Sequence, residues 1–357
     1  MCARVYAAYD DGLRVVDPET GDVSVRLTDR AVECLSVAPG ADPSGETGVT
    51  AADRVLAGTA DAGLFRSTDG GETFERVAGE TLGPGGSGPD AVTAVATSPH
   101  DPAVAWVGTE PSRVYRSADG GRTAEPVAGL TRVPSASEWS FPPRPDSHHV
   151  RWIAPCPADP DRWFVGVEAG ALLLTPDGGE TWVDRPEGSR RDNHALATHP
   201  DAPDRVYAAA GDGFAESRDR GRSWRVVDAG LDHGYVWGVA VDPGDPETVL
   251  ASAASDAGAA HRRGEAYLYR RTAGRSDGSP GGGGSSSSPR FERLDDRGMP
   301  TGEGTFRAVL ASGREPGEVW ALHDAGLYRT GDAGDSFERV PADLPGRAAR
   351  ALAVGGD

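Results

Sequence analysis

The sequence of 357 residues contains no lysine: all 36 basic residues are arginine, against 55 aspartate and glutamate residues. Isoleucine and asparagine occur once each, as Ile153 and Asn193. The formal net charge of −19 disfavours nucleic acid and anionic membranes as partners, because both are polyanions. So acidic a surface repels itself and is best tolerated where salt screens it, which is typical of a halophilic protein.

The sequence also lacks a long apolar stretch. It has no run of about 18 apolar residues and no signal peptide, so we expect a soluble cytoplasmic protein. Its three cysteines, Cys2, Cys34 and Cys156, are far apart and include no C-x-x-C pair. They therefore predict neither a disulfide framework nor a zinc site. We expect no cofactor and a monomeric protein.

One unit recurs along the chain. Its first copy, residues 64–74, ends in the motif S-x-D-x-G-x-T-[WF], and four more close copies follow it. A sixth copy is recognised by its strand-like residues 268–271 and 291–294, which flank a Gly/Ser-rich insert at 273–289 where the motif is missing. We expect that insert to be a disordered surface loop. The aspartates of the five complete motifs are Asp69, Asp119, Asp177, Asp219 and Asp332.

This motif resembles the Asp box, or BNR repeat, of sialidases, sortilin-type receptors and photosystem II assembly factors. An aspartate at its position can accept backbone N–H bonds across a turn, and its glycines can adopt positive φ. The resemblance implies β-propeller blades whose Asp boxes lie at the outer rim and are structural. Residues 139–152 also resemble those of uncharacterised bacterial and haloarchaeal propellers grouped as glycosyl hydrolase-like.

Each repeat contains four short predicted strands, which is the size of one propeller blade. We therefore expect an all-β fold: a single seven-bladed β-propeller, over residues 1–357, of four-stranded antiparallel blades. Six blades are visible in the repeats, and pairing of the N- and C-terminal strands completes the seventh, which leaves no long unpaired edge. The predicted blades are 3–28 with 348–355, 31–78, 91–128, 149–185, 193–228, 235–294 and 305–341.

The innermost strands share one variable position, six residues before the turn that follows each of them. The next position is a small residue in most blades, with Trp152 as an exception. Packing requires uniformity, so we expect function at the variable position, where the strand entrances surround the mouth of the central channel. The seven residues at this position, called the ring residues below, are Glu33, Thr93, Arg151, His194, Trp237, Arg307 and Arg350.

Loops leading into these strands add polar and aromatic residues on the same face. The longest, residues 129–149, exceeds the usual length of a structureless connection, which is typical of a functional loop. Arginine binds carboxylate or phosphate with a bidentate fork, and Trp or Tyr stacks on rings. We therefore expect a small anionic or sugar-like ligand, or a protein partner, on this top face. The candidate residues are Glu33, His148, His149, Arg151, Trp152, Asn193, His194, Tyr235, Trp237, Arg307 and Arg350.

Two other interpretations concern the same residues. Arginine and glutamate of neighbouring inner strands can pair across a blade interface without any ligand. A metal site is not expected, because His148, His149, His194 and His233 show neither H-x-x-x-H spacing nor a suitably spaced set of carboxylates.

A different function for the same mouth is that of a glycoside hydrolase, sialidase-like or of another BNR type. Such enzymes usually need two carboxyl groups about 5–10 Å apart, and the sequence identifies no catalytic pair. Sialidases also have six blades and an early Arg-Ile-Pro motif, which this sequence lacks. The candidate carboxylates are Glu33, Glu138, Asp192 and Asp232.

Overall fold

The computed structural model describes residues 3–40, 52–272 and 289–356. Within these residues the chain forms seven antiparallel sheets. Each innermost strand contacts that of the next sheet, and the contacts close into a ring. The expected seven-bladed propeller is thus confirmed. The predicted Gly/Ser-rich insert 273–289 lies, except for Pro289, outside the described residues.

Blade 1 combines strands from both ends of the chain, and blades 2 and 3 follow it in chain order. Blade 1 consists of β1 (Val5–Tyr9), β2 (Gly12–Val16), β3 (Val23–Arg26) and the last strand, β29 (Ala351–Val354). Blade 2 consists of β4 (Val32–Ala38), β5 (Arg54–Thr59), β6 (Gly63–Ser67) and β7 (Glu75–Val77). Blade 3 consists of β8 (Ala91–Thr97), β9 (Ala105–Glu110), β10 (Val114–Ser117) and β11 (Glu125–Val127).

The other four blades follow in chain order. Blade 4 is β12 (Val150–Cys156), β13 (Asp159–Val167), β14 (Ala171–Thr175) and β15 (Val183–Asp184). Blade 5 is β16 (Asn193–Thr198), β17 (Val206–Ala210), β18 (Gly213–Ser217) and β19 (Arg225–Val226). Blade 6 is β20 (Tyr235–Asp242), β21 (Asp245–Ala254), β22 (Glu265–Thr272) and β23 (Arg290–Arg293), and β24 (Gly302–Glu303) also pairs with β22. Blade 7 is β25 (Val309–Ser312), β26 (Val319–His323), β27 (Gly326–Thr330) and β28 (Glu338–Arg339).

The ring is closed in blade 1. Strand β29 runs antiparallel to β1, with Val5 opposite Val354 and Ala8 opposite Ala351. Because β29 supplies the innermost strand, the C-terminal strand covers the edge that β1 would otherwise present to solvent. The expected pairing of N- and C-terminal strands is therefore confirmed.

The core lies between the blades, where apolar side chains of adjacent sheets interlock. Trp106 of blade 3 stacks on Trp163 of blade 4 with ring centroids 4.8 Å apart, and both are fully buried. Near the channel, small residues let the blades approach closely. A Cβ at Gly108 would lie only 2.7 Å from Val150 Cβ in the next blade. A residue without a side chain at this position of the second strand, β9, is thus a packing requirement.

The turns that carry the five repeated aspartates all use the aspartate in the same way. Asp69 Oδ1 accepts hydrogen bonds from the Ser67 hydroxyl at 2.6 Å and from the Thr73 amide at 3.0 Å. The Thr73 hydroxyl donates to the other carboxylate oxygen. Gly70 and Gly71 have φ of 69° and 88°, which favours glycine at both positions. The same three contacts recur at Asp119, Asp177, Asp219 and Asp332.

Helical turns are confined to connections. Two 3₁₀ turns, Leu130–Arg132 and Pro134–Glu138, lie between blades 3 and 4, and a π-helical turn, Ala259–Arg263, joins β21 to β22. Among the described residues, no helix has the length and apolar character needed to cross a membrane.

Candidate binding site at the channel mouth

Five of the seven ring residues share an irregularity of the backbone. In blades 2 to 6 the innermost strand has a β-bulge, and the extra, unpaired residue is the ring residue. A bulge re-aims one side chain out of the regular alternation. The shared offset seen in the sequence is therefore the position of a bulge. The five bulged residues are Glu33, Thr93, Arg151, His194 and Trp237.

The mouth opens into a cavity of about 1130 Å³. Loop 129–149 forms part of its wall through Phe141, Pro142, Pro143 and Arg144. Arg144 is held there by an ion pair with Glu110 at 2.8 Å. Seven of the eleven candidate residues line the cavity: Glu33, His149, Arg151, Tyr235, Trp237, Arg307 and Arg350.

Four candidates lie outside the cavity lining. His148 packs edge-on against Trp139 and accepts a hydrogen bond from the Ser112 amide. Trp152 packs into the core between blades 4 and 5, next to the ring position. The amide group of Asn193, which is fully buried, donates to the carbonyl oxygen of Arg190 at 2.9 Å. These three side chains do not line the cavity.

His194, the fourth of these candidates, lies against the wall of the cavity without facing its interior. Its side chain is fully buried and packs against the Trp237 ring, with centroids 4.6 Å apart. Its Nδ1 lies 2.8 Å from the carbonyl oxygen of Val236 in the next blade. That bond rotates the imidazole toward blade 6, so the bulge alone does not decide where this ring residue points.

Two guanidinium groups lie over one aromatic ring. Arg307 lies 4.3 Å and Arg151 5.1 Å from the centroid of Trp237. Burial, followed by the neighbouring Arg151 charge, lowers the pKa of Arg307 to about 10. Arg307 thus stays charged at neutral pH, in a place that disfavours its charge.

Arg151 is paired, whereas Arg307 is not. Arg151 Nε lies 3.5 Å from Glu168 Oε2. Within the described parts of the chain, Arg307 has no ion pair and no side-chain hydrogen bond, and its Nε is buried without a partner. The site therefore contains one uncompensated cation beside a compensated one.

Glu33 and Arg350 are paired directly with each other. Arg350 Nη1 lies 2.9 Å from a Glu33 carboxylate oxygen, which joins blades 1 and 2. For these two residues, the geometry matches the interpretation of pairing across a blade interface. Both still line the cavity, with the Arg350 side chain 41% exposed.

Glu168 is a cavity residue that the sequence interpretation missed. It follows β13, and its Oε2 lies 2.9 Å from His149 Nε2. Burial opposes its ionisation, but the hydrogen bond from His149 and the nearby His194 and Arg151 outweigh burial and lower the pKa of Glu168 to about 2. An alignment of the second strands would have found it, since Glu110 occupies the equivalent place in blade 3.

His261 is a second cavity residue without an assigned role in the sequence. It lies on the π-helical turn of blade 6, and its Nε2 is 2.9 Å from the Tyr235 hydroxyl. Burial, together with the Arg307 charge, lowers the pKa of His261 to about 4, so it is neutral near pH 7. No sequence repeat indicates this residue, because the turn occurs in one blade alone among the described residues.

The hydrolase interpretation named four carboxylates, and the structure separates them. Glu33 and Asp192 line the cavity. Glu138 lies outside it, where Arg185 at 2.7 Å and Arg191 at 3.1 Å pair with its carboxylate. Asp232 is not part of the cavity wall either.

No protein-family model matches the sequence, and no curated protein matches it. Solved structures match its fold. A GH74 enzyme from Niastella koreensis has a TM-score of 0.64 at 16% identity, covering 96% of this chain and 52% of that one. An ancestral GH74 enzyme has a TM-score of 0.56 at 17% identity, covering 84% of this chain and 36% of that one.

YCF48 matches over nearly its whole length. The protein from Cyanidioschyzon merolae has a TM-score of 0.57 at 14% identity, covering 92% of this chain and 96% of that one. YCF48 bound to a D1 peptide has a TM-score of 0.53 at 14% identity, covering 90% and 92%. This chain thus spans about a third to a half of the GH74 enzymes and most of YCF48. At identities this low, the likeness establishes the seven-bladed propeller fold that they share.

Proposed function

We propose that this propeller binds a small anionic ligand, with carboxylate or phosphate chemistry, at the mouth of its central channel through Arg307 and Arg151. The observation that carries the proposal is the unpaired guanidinium of Arg307 in the cavity wall. A partly buried cation without a counter-ion is costly, and an oxyanion from the cavity would supply both the charge and the missing hydrogen-bond acceptors.

The same geometry favours an anion over a neutral sugar. A sugar ring usually needs a free aromatic face, but Trp237 is already in contact with Arg307, Arg151 and the His194 ring. Arginine, by contrast, keeps its donors in the plane of the guanidinium and can stack on Trp237 while it binds an oxyanion. An acidic sugar would be recognised through its carboxylate.

Ligand-induced stabilisation tests this proposal. Thermal unfolding is followed in a buffer that itself contains no carboxylate or phosphate. Glucuronate, inorganic phosphate, neutral glucose or a short acidic peptide is then added separately. We expect glucuronate or phosphate to raise the unfolding temperature and glucose to leave it unchanged. Arg307→Met should remove the effect.

A matched control is available in blade 7. Arg329 also lies over a tryptophan, 5.3 Å from the Trp320 ring, but it is paired with Glu318 and is far from the mouth. Arg329→Met should therefore keep the stabilisation by anions. Equal stabilisation by glucose, or anion binding that survives Arg307→Met, would contradict the proposal. A response to the peptide alone would favour the protein partner as occupant, as YCF48 in its complex with a D1 peptide suggests.

A glycoside hydrolase acting in the same mouth is the second candidate. One observation favours it: a carboxylate oxygen of Glu168 lies within 4.8 Å of one of Asp192 in the cavity wall. Paired carboxyl groups about 5–5.5 Å apart are typical of retaining glycosidases. Chromogenic glycosides would be screened in concentrated salt with wild type, Arg151→Ala and Glu168→Gln. Turnover that both substitutions abolish would establish the hydrolase, and no turnover on any glycoside would leave the binding function.

A further inference from the structure

His194 presents an unprotonated nitrogen inside the protein. Its Nδ1 lies 2.8 Å from the carbonyl oxygen of Val236, which can only accept, so Nδ1 carries the hydrogen of the neutral ring. Nε2 then presents a lone pair. The side chain is fully buried, and Nε2 has no hydrogen-bond partner among the residues that the structure describes.

Two carboxylates face that lone pair. Asp192 Oδ2 lies 3.7 Å from His194 Nε2, and a carboxylate oxygen of Glu168 completes a group of three atoms that all lie within 4.8 Å of one another. A lone pair and two anions in so small a volume repel one another unless a cation lies between them.

Each of the three side chains is also held in its orientation by a contact with a neighbouring residue outside the cluster. Ala169 N donates to Asp192 Oδ1 at 2.9 Å, which leaves Oδ2 directed at His194. His149 lies 2.9 Å from the Oε2 atom of Glu168. Val236 holds the imidazole. Such outer contacts on every member are the arrangement that orients metal ligands in proteins.

We propose that Glu168, Asp192 and His194 bind a divalent transition-metal ion, with one imidazole nitrogen and two carboxylate oxygens as ligands. This donor set suits Zn²⁺ or Mn²⁺. Ligand atoms about 2.0–2.2 Å from a metal are about 3–4 Å from one another. The distance of 3.7 Å between His194 Nε2 and Asp192 Oδ2 fits this range. Because Glu168 and Asp192 line the cavity, a remaining coordination position would face the mouth.

The proposal departs from the expectation that the sequence contains no metal site. That expectation was based on histidines and carboxylates close together in the sequence. Here Glu168 follows β13, Asp192 lies in the loop before β16, and His194 is the bulged residue of β16. The Arg151 guanidinium, 3.5 Å from Glu168, opposes a cation there. Two carboxylates offset a divalent charge, however, so the cluster with its metal carries only the charge of Arg151.

Cobalt(II) titration tests the site. Co²⁺ substitutes for Zn²⁺ in protein sites and absorbs visible light strongly when it has four or five ligands. The protein would be treated with EDTA, dialysed and titrated in concentrated KCl, which screens the acidic surface. We expect one Co²⁺ per chain with visible absorption, and displacement of Co²⁺ by Zn²⁺. Asp192→Asn and Glu168→Gln should each weaken binding by more than about 100-fold, because loss of an outer contact alone costs about 10–100-fold.

His323 supplies the control. It is equally buried, its Nε2 is likewise without a partner in the described residues, and Asp324 lies 3.6 Å from its Nδ1, but it has no second carboxylate. His323→Gln should leave Co²⁺ binding unchanged, whereas His194→Gln should abolish it. If His194→Gln does not fold, the half-exposed Asp192 still decides the matter.

Wild-type protein that binds neither Co²⁺ nor Zn²⁺ would overturn the proposal. Binding that survives Asp192→Asn and Glu168→Gln would overturn it as well. Since the titration contains no organic anion or phosphate, its failure is distinct from failure of the anion-binding function.

Discussion

Replacing Arg307 with methionine should stabilise the folded protein while it removes anion binding. The Arg307 guanidinium lies in the cavity wall without a counter-ion among the described residues, and its buried Nε lacks a partner. Methionine has a similar length, carries no charge and can keep a favourable contact with the Trp237 ring. The substitution therefore removes the cost of the unpaired charge and retains most of the packing.

The magnitude follows from the pKa. A pKa lowered from 12.5 to about 10 means that the fold disfavours the charged guanidinium by about 3 kcal/mol, at about 1.4 kcal/mol for each pH unit. Arg307 is partly exposed, so solvent screening reduces this to about 1–2 kcal/mol. Since the folded pKa lies below the unfolded one, the penalty is complete at neutral pH and is relieved as the pH rises above about 10.

Differential scanning calorimetry measures the outcome. With an unfolding entropy of about 2.1 cal/mol/K for each residue, a gain of 1–2 kcal/mol raises the unfolding temperature of a chain of this length by about 1–3 °C. The comparison is made at pH 7 without added phosphate or carboxylate. Arg329→Met, which breaks the ion pair with Glu318, should not stabilise the protein.

Loss of stability in Arg307→Met by more than about 1 kcal/mol would refute the reasoning, because the guanidinium would then make a net favourable contribution through its cation–π contact. Unchanged stability together with unchanged anion binding would show that Arg307 is simply solvated.

Two further predictions concern the scaffold. The pKa of Asp69 is lowered from 3.8 to about 2, because the hydrogen bonds from Ser67 and Thr73 outweigh its burial. This carboxylate therefore stabilises the fold fully above pH 3.8 and loses that contribution as the pH falls toward 2. Asp69→Asn should reduce the loss of stability between pH 4 and 2 in circular-dichroism melts, and a pH profile identical to that of the wild type would contradict this prediction. Gly108→Ala should destabilise the protein by about 1–3 kcal/mol in urea unfolding, because the added Cβ overlaps Val150. Gly331→Ala is the control: its added Cβ meets nothing within 4 Å, so its effect should be below about 0.5 kcal/mol.

The sequence alone was sufficient for the fold. Most blades repeat the same succession of short strands and an aspartate-containing turn, so counting these repeats, together with the strands at the two ends of the chain, predicted seven blades. Closure by β29 and β1 followed from three strand patterns at the N-terminus and one leftover innermost-strand pattern at the C-terminus, which together complete a blade. The strand and turn patterns depend on residues close to one another in the sequence, which is why they could be predicted without coordinates.

The candidate site was accessible from the sequence only in part. Aligning the blades located the variable position, because the turn after each inner strand provides a fixed reference. The alignment could not show that this position is a β-bulge in five blades. It also could not show that the His194 ring is fully buried beside the cavity, since its orientation depends on the carbonyl of Val236 in the neighbouring blade.

What the sequence by itself determined is the seven-bladed ring and the one position in each blade where side chains differ. Only the tertiary structure decided which charges meet there: Arg307 without a counter-ion, Glu33 neutralised by Arg350, and Glu168 and Asp192 facing His194. The reason is physical. Periodicity and turn chemistry act over a few residues, whereas the pairing and burial of a charge depend on neighbours from other blades.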